Sequence, residues 1–173
     1  MNSTVLESTE AEVAAKIAAA RRAAVVWRRT TVAPRVDVLR ALWRALAARR
    51  AQIGWVVHEE TGKPLIEVDL MELGCAGQLM EWMTSVAPRV LGDKAAWKPW
   101  FFFNKRAYER RVPVGVVGLI TPWNMPFLIP FGDAFAAMLA GNAVLLKPSE
   151  WTTKTALWLE EAVATTSLLP EGL

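Results

Sequence analysis

The chain has 173 residues, 53% of them apolar, and carries a formal net charge of +3. It is about one domain long and apolar enough to build a core, which excludes a compositionally disordered segment. Its basic pairs, Arg21-Arg22, Arg28-Arg29 and Arg49-Arg50, sit among alanines as solvated helix faces rather than in a basic and aromatic stripe, so no nucleic-acid partner is expected.

Residues 1 to about 10 read as frayed. MNSTVLESTEAEV has neither the basic nor the apolar region of a signal peptide, and the single cysteine excludes an internal disulfide and suits a reducing compartment. A cytoplasmic protein is the expectation. Glu10 to Arg29 reads as a helix, with Val13, Ile17, Ala20, Ala24 and Trp27 along one face. Thr30 to Pro34 is a link, and Pro34 is placed to start the next helix. Its buried stripe is Val36, Leu39, Trp43, Leu46 and Ile53, and it continues or restarts through Trp55, Val56 and Val57. Gly62-Lys63-Pro64 is a stop. A third helix follows on a stripe of Leu65, Val68, Cys75, Leu79, Trp82 and Val86, and Pro88 and Gly92 end it.

Ala95 to Val112 changes character. Trp97, Trp100, Phe101, Phe102 and Phe103 precede Asn104-Lys105, which predicts two antiparallel strands around a turn near Asn104. A protruding aromatic strand needs covering. Val114 to Ile120 is a β-branched apolar run suited to a buried strand. Thr121-Pro122-Trp123-Asn124-Met125-Pro126 breaks it, because two prolines remove two backbone donors. Phe127 to Ala140 reads as a helix stopped by Gly141-Asn142. Ala143 to Leu146 is a second buried strand, and Thr152 or Thr153 can cap a helix running to about Ser167. Strand, helix, strand, helix is the start of a parallel sheet covered by helices, and ligands of such sheets sit beyond the carboxyl ends of the strands. Val112 to Leu146 has one charge, Asp133, but its prolines and glycines interrupt it well short of a membrane span.

The residues at those strand ends carry a resemblance. Pro122-Trp123-Asn124-x-Pro126, Ala140-Gly141-Asn142-Ala143-Val144 and Lys147-Pro148-Ser149-Glu150 resemble the aldehyde dehydrogenase superfamily. Pro113-x-Gly115-Val116-Val117, Leu169-Pro170-Glu171-Gly172 and, more weakly, Glu60-Thr61-Gly62-Lys63-Pro64 fit the same pattern. The resemblance implies an α/β fold: N-terminal helices and a β-hairpin, then the first β-α-β-α of an incomplete Rossmann-like sheet. It divides the chain into 1–94, the helical part of the cofactor-binding domain; 95–112, a hairpin similar to the family's oligomerisation arm; and 113–173, the start of the NAD-binding domain. It implies an oxidoreductase that converts an aldehyde to a carboxylic acid, a dimer or tetramer, and neither a membrane nor a nucleic-acid partner.

By the same resemblance Asn124 is the catalytic residue that donates its side-chain amide to the substrate oxygen. An amide held in a stiff proline-flanked turn suits an oxyanion that develops when a thiolate attacks an aldehyde. The alternative is a turn asparagine bonding its own backbone. Lys147 and Glu150 are implied to hold the adenosine ribose hydroxyls, one donating and one accepting. Glu150 would repel a 2′-phosphate, which favours NAD over NADP; the alternative is a surface pair of little worth. Thr121, Pro122 and Trp123 would line the cofactor groove, with Ser149 either there or only turning the chain. Asp133 departs from the family pattern and, on an apolar helix, is expected to need a partner.

Cys75 lies on a predicted core stripe and reads as packing rather than a nucleophile. His58 lacks spaced ligand partners, so a surface or capping role is expected and no metal. The family's nucleophilic cysteine and general-base glutamate lie beyond Leu173. The chain is therefore expected to be an amino-terminal portion of a subunit, inactive by itself. The alternative is a truncated remnant that acts only as an assembly segment.

Overall fold

A computed structural model describes residues 7–173. Of the frayed start expected over residues 1 to about 10, residues 1–6 lie outside the described residues. Helix α1 (Glu10–Trp27) opens with a reciprocal cap, in which the Thr9 side chain accepts from Glu12 N and Glu12 returns to Thr9 N. Helices α2 (Val32–Ala47) and α3 (Arg50–Thr61) follow, so the second helix restarts rather than continues. Gly62 ends α3 with φ of 71°, a conformation that glycine adopts without a Cβ penalty.

The third predicted helix is three pieces: α4 (Leu65–Glu67), a π turn over Val68–Gly74, and α5 (Cys75–Leu91). Pro88 lies inside α5, and Gly92 is its C-cap, so only the glycine ends it. The π turn widens the helix by about one residue. The buried face after it is accordingly displaced by one position. Ala76, Met80 and Ala87 are buried where Cys75, Leu79 and Val86 were expected, and Trp82 is exposed.

Strands β1 (Lys94–Ala95) and β2 (Tyr108–Glu109) pair antiparallel, Lys94 opposite Glu109. The hairpin between them is not an aromatic strand. Pro99 interrupts the chain and Trp100–Phe102 form a 3₁₀ turn. Lys98 Nζ donates to the carbonyls of Phe102 and Phe103 at 3.0 and 3.2 Å and also to that of Lys105, satisfying backbone groups that a strand would have left for a neighbour.

Strands β3 (Val116–Ile120) and β4 (Ala143–Lys147) are parallel and in register from Val116–Ala143 to Ile120–Lys147. Alternate side chains serve opposite faces. Val116 and Ala143 meet the alanines Ala20 and Ala24 of α1. Val144 joins the larger core, which includes Phe127, Phe131 and Phe135, the last two on α6 (Leu128–Leu139). Both strands are only partly buried and Ile120 is 83% exposed. Helix α7 (Thr153–Thr166) closes on the same large core through Leu159 and Ala162. Among the described residues no helix is long and apolar enough to cross a membrane.

Candidate functional site

The carboxyl ends of β3 and β4 are tied together, since Thr121 N donates to the Lys147 carbonyl at 3.1 Å. Beyond them two turns leave the sheet, Pro122–Phe127 and Pro148–Thr152. An open groove of about 420 Å³ runs between them, lined by Glu60, Thr61, Trp123, Trp151 and Thr152.

Gly141 and Asn142 set the amino ends of these strands. Gly141 has φ of 92°. Asn142 is buried: its Oδ1 accepts from Gly115 N at 3.0 Å and its Nδ2 donates to the Ala137 carbonyl at 3.1 Å. One side chain thus ties the end of α6 to the entry of β3. Trp27 Nε1 donates to the Met138 carbonyl at 2.8 Å, which also accepts from Gly141 N at 2.9 Å, and Arg35 Nη1 donates at 3.1 Å to the Leu139 carbonyl that the helix end leaves free.

Each predicted site residue can be placed. Asn124 is exposed, and among the described residues its side chain makes no hydrogen bond, so it does not brace its own turn. Thr121 is buried, and its hydroxyl has no hydrogen-bond partner. A buried orphan hydroxyl at a strand end is an unused donor and acceptor. Pro122 and Trp123 are exposed beside it. Lys147 and Glu150 are both exposed, with Nζ and Oε2 3.9 Å apart, and Lys147 also reaches the Pro148 carbonyl at 3.3 Å. That separation and exposure leave both groups available to a diol. Ser149 is buried and its Oγ accepts from Trp151 N at 3.3 Å, so it turns the chain.

The other residues singled out in the sequence can also be placed. Asp133 is exposed on α6 and needs no partner, because water solvates it. His58 Nδ1 lies 2.6 Å from the Lys63 carbonyl at the end of α3, a capping contact. Cys75 is half-buried at the junction of the π turn and α5. Among the described residues no cluster of acidic, histidine or cysteine side chains could hold a metal.

Two carboxylates to which the sequence assigns no role fix the two turns. Glu60 accepts from Lys154 N, Thr155 N and Thr155 Oγ1 at 2.7, 2.8 and 2.6 Å, capping α7 in place of Thr152 or Thr153. Glu72 accepts from Phe127 N and Leu128 N at 2.8 and 3.3 Å, at the start of α6. A carboxylate suits a helix start electrostatically. The only sequence signal for either was the Glu60–Pro64 motif, which resemblance alone had marked.

A family model described as aldehyde dehydrogenase family matches residues 2–173. The chain is 35% identical over 167 residues to 4,4'-diapolycopene aldehyde oxidase of Methylomonas sp, covering 96% of this chain and 31% of that protein. Its structure resembles that of an aldehyde dehydrogenase from Brucella melitensis biovar abortus 2308, with TM-score 0.87 and 29% identity over 97% of this chain and 34% of the other. It also resembles betaine aldehyde dehydrogenase from Staphylococcus aureus solved in complex with NAD+, with TM-score 0.86 and 27% identity over 97% and 33%. The chain thus spans about a third of the length of each of these three proteins.

Proposed function

The chain belongs to the aldehyde dehydrogenase family, and from that premise we propose that it supplies the oxyanion donor and the ribose-binding part of an enzyme oxidising aldehydes to carboxylic acids with NAD. The observation that carries this reading is one of placement. An unengaged Asn124 amide and an open Lys147–Glu150 pair stand at the carboxyl ends of two neighbouring parallel strands.

The chemistry follows from the groups. When a thiolate adds to an aldehyde, a C–S bond forms and the carbonyl π pair moves to oxygen. The Asn124 amide donates to that oxygen, and the bond strengthens as charge develops there. Lys147 donates to the ribose diol and Glu150 accepts from it. The Glu150 carboxylate opposes a 2′-phosphate at the same position, which favours NAD over NADP. Thr121, Pro122 and Trp123 shape the groove, and Ser149 turns the chain beside it. The dinucleotide, when bound, supplies the electron acceptor. Cys75, half-buried on a helix start, is not the nucleophile. This reading assigns neither the attacking thiolate nor the general base to a residue of this chain.

The hairpin reads as part of an arm against a partner copy in a dimer or tetramer. Trp97, Trp100 and Phe103 stand at its tip more than four-fifths exposed. The same aromatics favour the second reading, a segment whose role is assembly.

Calorimetric titration of NAD into the purified chain, beside the Lys147→Ala/Glu150→Ala variant, tests the cofactor half of the proposal. Saturable binding lost in the variant supports it. Binding unchanged by the double substitution removes Lys147 and Glu150 from the site.

A further inference from the structure

Glu72 is fully buried, and the only cation beside it among the described residues is Lys63, whose Nζ lies 2.7 Å from Oε1. A buried pair is generally no more stable than apolar side chains packed in its place. Its other bonds indicate what this one does. Lys63 Nζ donates to the main-chain carbonyl of Asn124 at 2.6 Å and approaches Met125 Sδ at 3.2 Å. Glu72 Oε2 takes the Phe127 and Leu128 N–H groups. One ion pair therefore grips both ends of the turn Asn124–Leu128, in which Pro126 has no N–H to offer. Among the described residues nothing holds the Asn124 side chain itself, so its direction depends on its backbone.

The π turn makes this possible. With one residue more per turn than an α-helix, Val68–Gly74 buries Glu72 between buried Val68 and Leu73 while Leu70 and Met71 stay exposed. Lys63 is delivered by the left-handed Gly62 and anchored by His58 and by the Thr61 hydroxyl, which accepts from Lys63 N at 3.3 Å.

We propose that Lys63 and Glu72 are positioning residues for Asn124: they fix the turn so that the amide faces the site where the oxyanion forms. The inference rests on the reading of Asn124 as oxyanion donor. Neither residue touches substrate, and Lys63 reaches only main chain and the Met125 sulfur at that turn.

The chain has four asparagines, at 2, 104, 124 and 142, so selective ¹⁵N labelling of asparagine side chains gives a spectrum of four amide pairs. The Asn124 pair is assigned by its loss in Asn124→Asp. In Lys63→Met and Glu72→Gln that pair should shift and its heteronuclear NOE should fall, while the buried Asn142 pair keeps its position. Lys63→Arg should restore much of the wild-type signal, and Glu60→Gln, which loosens the other turn, should leave it alone. An unmoved Asn124 pair in both Lys63→Met and Glu72→Gln, with Asn142 native, overturns the proposal. Where a variant loses the Asn142 signal and so its fold, the wild-type chain decides. An Asn124 amide more ordered than exposed Asn104, with slow exchange at Phe127 N–H, supports the clamp; equal mobility and fast exchange overturn it. Donation by Asn124 is read separately, as a shift of the same pair on adding acetaldehyde. Its absence with the other results intact would count against the donor and not against the clamp.

Discussion

Glu60 caps helix α7 at Thr155 across 95 residues of sequence: its Oε2 accepts the Thr155 N–H at 2.8 Å and the Thr155 hydroxyl at 2.6 Å. Thr155 is fully buried and Thr152 makes no side-chain cap, so the carboxylate is the satisfied partner of that helix start. Glu60→Ala should destabilise the chain by about 1–2 kcal/mol, the ordinary worth of a lost cap. Urea unfolding with the m-value held in common measures it. A Glu60→Gln change, which keeps an acceptor, should cost less.

Gly141 cannot be replaced. Its φ of 92° is foreign to side chains, and a Cβ there would sit 2.5 Å from the Arg35 Cζ. Gly141→Ala should cost about 2–4 kcal/mol from backbone strain together with displacement of Arg35. Gly118, with open space around it, should accept alanine with a far smaller change. Thermal unfolding of the two variants in parallel makes the comparison.

The β1–β2 hairpin should respond to acid. Arg110 donates Nε and Nη2 to Asp93 at 2.9 and 2.6 Å. These hydrogen bonds, and then the Arg110 charge, hold the Asp93 carboxyl below its ordinary value. A depressed carboxylate contributes its stability above the unfolded-state value of about 4 and loses it as pH falls through the folded one. The Arg110 Nε–H resonance should keep its hydrogen-bonded position down to about pH 4 and move only below it. Asp93→Asn should abolish that movement.

The aromatic tip predicts association. Trp100 and Phe103 are held outward by the 3₁₀ turn that Lys98 seals. Trp100→Ser/Phe103→Ser should lower the fraction of associated chain in sedimentation velocity while leaving far-ultraviolet dichroism unchanged. Equal association in both forms would move the contact elsewhere, to the open edge at Ile120.

What the sequence made legible is local. Gly62 and Gly141 announce helix ends, and both have positive φ. The two short apolar runs announce the strands, and the prolines between them announce the turn. What stayed hidden is of two kinds. A π turn leaves no period of its own, so the stripe through Cys75, Leu79 and Val86 fell one residue short of the true one. Long-range carboxylate caps leave no local trace either, since Glu72 and Glu60 act 55 and 95 residues away. Asp133 shows the reverse error: apolar neighbours in sequence suggested burial, yet the helix turns it to water. Their place at the strand ends marks Asn124, Lys147 and Glu150, but their roles come only through resemblance, because an exposed asparagine and an exposed ion pair have no signature of their own.

Mapping amide shifts of the ¹⁵N-labelled chain as NAD is added shows whether the two strand-end turns form the dinucleotide site. Saturable shifts should gather at Thr121–Asn124 and at Lys147–Thr152, with Trp123 and Trp151 indoles among them, while the hairpin tip stays still. Shifts confined to the hairpin or scattered over α1, or none at a concentration where calorimetry records binding, would contradict it.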